Sequence, residues 1–579
     1  MMLEGIAGSK GIAIGKVFIY EKVTMTVSNN IIAEEQTSLE LEKLKKAIAI
    51  SKQQISSIKE KTLIEFGEDK AQIFEAHLMI LEDPVVIKEI KGLIINSKIN
   101  AAFAVNTVIN NYYGQFAELD DDYLKERAAD IKDVGSRLLR NITGCEYKTL
   151  ADLKEEVIIV AHDLTPSDTA QLDKRYVLGF ATEIGGKTSH TAILANTLEI
   201  CAVLGLENIT KKLKNGDYLI LDGFEGKVII NPNDEQIKKY SQKKKEYEVL
   251  KKGLLKLVNL PAVTTDGKCI KIAGNIGNPN DIKAVIENGG EGVGLFRTEF
   301  LYINRDELPS EEEQLQAYKK VAEAAGGKPV IIRTLDIGGD KQVDCLIIQE
   351  EQNPFLGYRA IRLCLDQRDI FKAQLRAILR ASIYGQILIM FPMIADIMEI
   401  RVAKDVLKEV KVELSQRGVK YDRNIKVGIM IEIPSAAITA DIIAHEVDFF
   451  SIGTNDLCQY TLAVDRTNEK LSYLYQPFHP SMIRLIKHVI DSSHKEGKFT
   501  GMCGEMAGDP LAALLLVGMG IDELSMNSSS IPHVKNIVRS ISYEQAVEIA
   551  SKALKLSTSD EIINFLKESA DKLNINNMF

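Results

Sequence analysis

The sequence predicts a multidomain α/β protein. An N-terminal α/β domain carries an inserted all-α helical bundle, and a C-terminal (β/α)8 TIM-like barrel follows a linker helix. Three observations carry that expectation. The chain has 579 residues, more than one hydrophobic core ordinarily serves, so about two to four domains are expected. Between residues 33 and 143 apolar residues recur with helical spacing, inside a region that is otherwise β-rich and broken by glycine turns. After Pro261, eight β-like runs alternate with helical stretches, the pattern of a closed parallel barrel.

In the bundle, residues 33–143, Leu41, Ile48 and Ile55 recur at intervals of seven, while Leu44 and Ile58 fill the adjacent face and Lys and Glu occupy the rest. That spacing gives each helix one apolar face to bury. The helices hold no constellation of acid, base or metal-ligating residues, so the bundle is expected to combine a packed core with a docking surface. The α/β domain, residues 1–20 plus 145–232, is expected from the runs VIIVA, YVLGFAT, YLILDG and KVII, separated by glycine turns, with added strands from the N-terminal residues. Asn233 stands where an N-cap belongs, ahead of the proline-free, lysine-rich stretch DEQIKKYSQKKKEYEVLKKGLLKLV, which is expected to form a solvated linker helix over 233–257.

Composition bounds the function. With 45% apolar and 26% charged residues the chain is ordinary for a globular protein, and no apolar run reaches the ~18 residues of a membrane-spanning helix. The start, MMLEGIAGSKGIAIGKVFIY, lacks the basic and long hydrophobic regions of a secretory signal, so a cytoplasmic location is expected. Seven cysteines, odd in number and without a CxxC pair, argue against a disulfide framework or structural zinc and leave room for a single reactive thiol. A net charge of −10 disfavours nucleic-acid binding and favours a basic partner.

The barrel, residues 261–579, is read from CIKIAGN, GVGLFRTEF, PVIIRTLDIGG, ILIMFPM, KVGIMIEIP, FFSIGTND, FTGMCGE and ELSMN. Catalytic groups in such barrels sit where the strands finish, because the loops leaving that rim converge on one mouth. Arg297 closes the second run, Arg333 and Asp336 the third, Glu432 the fifth, Asn455 and Asp456 the sixth, and Cys503 the seventh, with Arg466 shortly after the sixth. A single strand-end arginine is ordinarily a surface or ion-pair residue; several strand ends charged in succession are not. Guanidinium groups suit phosphate and carboxylate oxygens bidentately, and Glu432 with Asp456 supplies hard oxygens of the kind that hold Mg²⁺. The mouth is expected to take a small phosphorylated carboxylic acid with Mg²⁺.

A second site lies in GGKTSHTAILA, residues 185–195, between a strand and a helix. A lone histidine is by default packed or solvated. His190, however, stands beside Gly185 and Gly186, which permit close approach, beside the Lys187 cation, and at a helix start whose free N–H groups favour a phosphoryl anion. Neutral imidazole is a competent nucleophile. A rival reading exists, since ATEIGGKT with the later LILDG imitates a nucleotide-binding P-loop and its acidic strand. The leading glycine is missing, however, and the α/β unit is small for that fold.

From about residue 3 to about residue 575 these motifs together resemble enzyme I of the bacterial phosphoenolpyruvate-dependent sugar phosphotransferase system. GGKTSHTAILA is similar to its phosphohistidine signature, and EGVGLFRTEFLY, RTLDIGGDK, QNPFLGYRAIR, DFFSIGTNDLCQYTLAVDR and TGMCGEMAGD are similar to its barrel motifs, in order and spacing. The resemblance implies that the α/β domain is a phosphohistidine domain with His190 as nucleophile, and that Arg297, Arg333, Asn455, Asp456 and Arg466 bind phosphoenolpyruvate. It further implies that Glu432 and Asp456 hold Mg²⁺, that Cys503 donates a proton to the departing enolpyruvate, and that Lys341 and Arg359 are secondary substrate contacts. AHLMILED and QFAELDDDYLKERAAD resemble the docking surface for the histidine phosphocarrier HPr, Thr169 matches a hydrogen-bond partner of the histidine, and a homodimer through the barrel is implied. Lys187 and Asn196 stand where the family usually has arginine. A dikinase or synthase would need a further nucleotide-binding domain and a nitrogen-type paralogue an N-terminal sensor domain, for which this sequence has no segment. A scaffold without activity would lack one of the chemical residues, all of which are present.

Overall fold

The β-branched runs of the first part pair into one mixed sheet. In the computed structural model, which describes residues 1–20, 27–28, 30–66, 68–117, 122–144, 150, 153–164, 168, 172, 175–186, 191–192, 195, 200–303, 305–339, 343, 345–346, 351–466 and 468–575, the strands are β1 (Met2–Glu4), β2 (Ile6–Ser9), β3 (Ile12–Tyr20), β4 (Val157–Ala161), β5 (Val177–Thr182), β6 (Cys201–Leu204), β7 (Tyr218–Asp222) and β8 (Lys227–Ile230). Their order is β1-β8-β7-β3-β4-β5-β6-β2. The centre, β3 to β6, is parallel, and β7, β8, β1 and β2 join antiparallel. The N-terminal residues supply three strands, as expected, and the short run CAVL adds one that the four internal runs did not include.

Among the described residues five helices form the bundle: α1 (Thr37–Phe66), α2 (Glu68–Glu82), α3 (Pro84–Asn96), α4 (Ala101–Ala117) and α5 (Asp122–Thr143). Leu44 and Ile55 are buried in its core, with Leu41, Ile48 and Ile58 packed against it, as the sevenfold spacing requires. Asp83 caps α3 by accepting from the N–H groups of Val85 and Val86, with Pro84 in the first helical position, where its missing N–H leaves no bond unmade. Helix α6 (Asp234–Leu257) starts on a reciprocal cap: Gln236 N–H donates to Asn233 Oδ1 at 2.8 Å and Asn233 N–H to Gln236 Oε1 at 3.0 Å. Its charge run is not wholly solvated. Lys243 pairs with the buried Asp222 at 2.9 Å, and Ile237 and Tyr240 pack on Ile12, Ile220 and Ile229.

The described residues divide into two compact units, Met1–Val249 and Leu250–Phe579. In the second, β9 (Lys271–Ile276), β10 (Val293–Phe296), β11 (Val330–Arg333), β12 (Ile387–Phe391), β13 (Lys426–Ile431), β14 (Phe449–Ile452), β15 (Phe499–Met502) and β16 (Glu523–Met526) close into a barrel. Every neighbouring pair is parallel, so all eight carboxyl ends share one rim. Leu295, Ile331, Leu388, Met390, Met430 and Phe449 form one apolar cluster with Cys503. Among the described residues no helix is long and apolar enough to cross a membrane.

At the amino-terminal end of β16, Glu523 is buried; burial pushes its carboxyl up to about 7, Lys271 opposes this, and Asp522 and Glu291 add to it. The folded state therefore keeps this proton across the interval in which the unfolded chain has already lost it. Stability falls as pH rises from the ordinary glutamate range to about 7, and the full penalty persists above that. Glu523→Gln is expected to raise stability by about 1–3 kcal/mol at pH 8 and to change it little at pH 4.5, read from denaturant midpoints at both values.

Candidate active site at the barrel rim

The rim charges are buried and paired. Arg333, the last residue of β11, is 6% exposed; its Nη2 donates to Glu299 Oε1 at 2.7 Å and its Nη1 pairs with Asp336 Oδ2 at 2.9 Å. Arg359 is 2% exposed, with Nη2 on Asp336 Oδ1 at 2.9 Å and on Asp456 Oδ2 at 3.4 Å, and Nη1 on the Tyr460 hydroxyl at 3.2 Å. Burial opposes charge on both guanidiniums, yet their acidic neighbours outweigh it and hold both firmly protonated: Glu299, Asp336 and Glu432 for Arg333, and Asp336, Asp456 and Glu432 for Arg359.

Glu432 follows β13 and is 1% exposed, with Oε1 accepting the Met393 backbone N–H at 2.6 Å. Burial raises its carboxyl pKa, the charges of Asp456 and Asp336 raise it further, and Arg333 and Arg359 only partly offset them. Asp456 lies in the helix Thr454–Leu462; its Oδ1 is buried without a hydrogen-bond partner. Within this buried group, two guanidiniums (Arg333, Arg359) face four carboxylates (Glu299, Asp336, Glu432, Asp456), which leaves an excess of two negative charges when all are ionised. A divalent cation beside Glu432 and the unpartnered Asp456 oxygen would balance that excess. Among the described residues no three acidic, His or Cys side chains converge as a metal cage, so substrate oxygens and water would complete the shell, as Mg²⁺ permits.

Cys503 follows β15 and is 3% exposed, its thiol 3.8 Å from the Ile452 carbonyl. Burial pushes the thiol up to about 11, eased by a hydrogen bond with Ser451 and by the Arg333 charge, so it carries its proton at neutral pH. Arg297 is exposed and its backbone N–H donates to the Ile276 carbonyl at 3.0 Å. Asn455 exchanges two bonds with Glu505, Nδ2 to Oε1 at 3.1 Å and Glu505 N–H to Oδ1 at 3.0 Å. Arg466 is half-buried, and its backbone N–H donates to Gln459 Oε1.

The second site is described only at its flanks. His190 lies outside the described residues, as do Lys187, Asn196, Thr169 and Lys341. Before it, β5 runs into Gly185, whose φ of 117° suits glycine. After it, residues 191, 192 and 195 are helical, and the Thr191 hydroxyl donates to the Leu164 carbonyl at 3.1 Å. The strand–glycine–helix order expected around the histidine is present.

Three family descriptions match the chain: "PEP-utilising enzyme, PEP-binding domain" over residues 251–543, "PEP-utilising enzyme, mobile domain" over 153–226, and "PEP-utilising enzyme, N-terminal" over 4–127. A phosphoenolpyruvate-protein phosphotransferase of Geobacillus stearothermophilus is 50% identical over 567 residues, 98% of each chain. Those of Staphylococcus aureus and Priestia megaterium are 51% and 50% identical over 98% of this chain and 99% of theirs. The chain belongs to the phosphoenolpyruvate-protein phosphotransferase family. In this member of the family, sequence reasoning missed Glu299 and Tyr460 at the rim. Glu299 had a signal, a carboxylate inside the apolar run GVGLFRTEF that proves 5% exposed. Tyr460 had none, since its donation to the Phe355 carbonyl at 2.5 Å depends on a partner 105 positions away.

Proposed function

We propose that this phosphotransferase moves the phosphoryl group of phosphoenolpyruvate to its own His190 and from there to the histidine phosphocarrier HPr, releasing pyruvate in the cytoplasm as the first step of sugar phosphotransfer. One observation carries the reading: the match to curated relatives of that name spans 98% of both chains. The buried charge cluster at the barrel rim supports it chemically.

Phosphoenolpyruvate is anionic at both its phosphate and its carboxylate. Arg297, Arg333 and Arg466 meet those oxygens, and Asn455 gives an amide once Glu505 yields it. Glu432 and Asp456 are the residues that would hold Mg²⁺, which when bound neutralises charge on the phosphate oxygens. The His190 imidazole attacks phosphorus in line with the bridging oxygen, so the N–P bond forms as the P–O bond breaks and the electron pair leaves with enolpyruvate. The Cys503 thiol then gives its proton to the enolate carbon, completing pyruvate. His190 serves both ends of the relay, with HPr docking on the 33–143 bundle and α6 marking the region about which the α/β domain turns; two copies associate through the barrel.

Incubation of the full chain with phosphoenolpyruvate and Mg²⁺ is expected to give acid-labile protein phosphate and pyruvate in equal amounts without added nucleotide, and EDTA is expected to stop both. A requirement for ATP, or pyruvate release without protein phosphate, would contradict the proposal.

A further inference from the structure

β9 and β15 are not neighbours in the barrel, because β16 lies between them. A hydrogen bond nevertheless crosses that gap. Asn275 on β9 donates from Nδ2 to the carbonyl of Cys503, after β15, at 2.9 Å. The Ser525 hydroxyl on the intervening β16 donates to Asn275 Oδ1 at 2.6 Å, which fixes which end of the amide faces Cys503. Asn275 is half-buried opposite Leu295 of β10, and an amide drawn out of water is costly unless its polar atoms are bonded. Here they are bonded to the backbone of one residue and to a hydroxyl that orients the amide.

The consequence concerns the thiol. Cys503 N–H donates to the Ile452 carbonyl at 3.0 Å, and Asn275 holds its carbonyl, so both of its polar backbone atoms are fixed while the thiol lies against Ile452. The next residue on β9, Ile276, accepts the Arg297 backbone N–H. One strand end thus anchors two of the residues expected to act on the substrate.

We propose that Asn275, oriented by Ser525, is a positioning residue that sets the Cys503 thiol for proton delivery to the enolate carbon; this rests on Cys503 being the proton donor. In that step the S–H bond breaks, a C–H bond forms at the terminal enolate carbon, the electron pair remains on sulfur as thiolate, and water returns the proton. Asn275 touches none of the reacting atoms, so its loss changes the rate of protonation and leaves phosphoenolpyruvate binding alone.

Asn275→Asp keeps the size of the side chain and its acceptor for Ser525, but faces the Cys503 carbonyl with an oxygen. It is expected to lower kcat about tenfold with KM for phosphoenolpyruvate within about twofold of the parent. Ser525→Ala, which frees the amide to turn, is the milder variant and is expected to lower kcat less, again without moving KM. Iodoacetamide alkylation at the Cys503 peptide, followed by mass spectrometry, is expected to be faster in both variants, because the thiol is no longer held against Ile452. Parent-like kcat and alkylation in both variants would overturn the assignment, as would a kcat loss accompanied by a lowered melting temperature with alkylation unchanged. A Cys503→Ala control separates the two layers. If it turns over normally, both the donor role and the positioning role fail; if it is slow while the Asn275 and Ser525 variants are normal, the positioning role alone fails.

Discussion

Asp456→Ala is expected to lower kcat/KM by about 10³-fold, the scale of several kcal/mol of transition-state charge stabilisation, and Asn455→Ala to lower it distinctly less. The difference follows from their surroundings. Asp456 Oδ1 is buried without a partner, and Oδ2 rests on Arg359, so this carboxylate has an oxygen left for a cation. Asn455 is neutral and already bonded twice to Glu505. Removing Asp456 also takes away the largest charge that raises Glu432, and Arg359 keeps Asp336. The fold should therefore melt near the parent temperature, and the half-saturating Mg²⁺ concentration should rise, with raised Mg²⁺ recovering part of the loss. Steady-state pyruvate formation across a Mg²⁺ series checks this; equal losses in the two variants would count against Asp456 as a metal ligand.

Cys503→Ala is expected to lower kcat by about 10²–10⁴-fold, the usual contribution of a positioned general acid, while KM for phosphoenolpyruvate changes little. The acid must be protonated to act, and burial has pushed the thiol up to about 11. Between pH 7 and about 10 this group should leave the parent kcat flat, and activity that depends on it should fall only as pH climbs through about 11. A wild-type rate of pyruvate formation in the alanine variant would remove Cys503 from the chemistry.

Much of the barrel was legible because each strand is a short apolar run and several, such as β11 and β13, finish on or beside a charged residue, and both features are local. The eight runs named from sequence contain β10 to β16 whole and β9 up to its last residue, Ile276. Strand β6 was missed because CAVL is four residues long and carries no alternation, whereas the strands expected from residues 1–20 are present as β1, β2 and β3. At the rim, Arg333, Glu432, Asp456 and Cys503 were named from strand ends and share one buried electrostatic environment. What the sequence could not convey is how those charges divide among partners. Arg359, read as a secondary substrate contact, has both Nη atoms on Asp336, Asp456 and Tyr460. Such pairings join residues 23 to 101 positions apart, and nothing in local pattern encodes them. Asn275 was passed over for the same reason, a polar residue within a strand run whose importance comes from a carbonyl 228 positions later.

The most direct test of the relay is to map the phosphate. The full chain is incubated with radiolabelled phosphoenolpyruvate and Mg²⁺ and digested under alkaline conditions that preserve phosphohistidine, and the labelled peptide is sequenced beside a His190→Ala variant treated identically. The account predicts label on His190 alone among the eight histidines, discharge of that label by HPr, and none in the variant. Label on another residue, or label retained in His190→Ala, would contradict it.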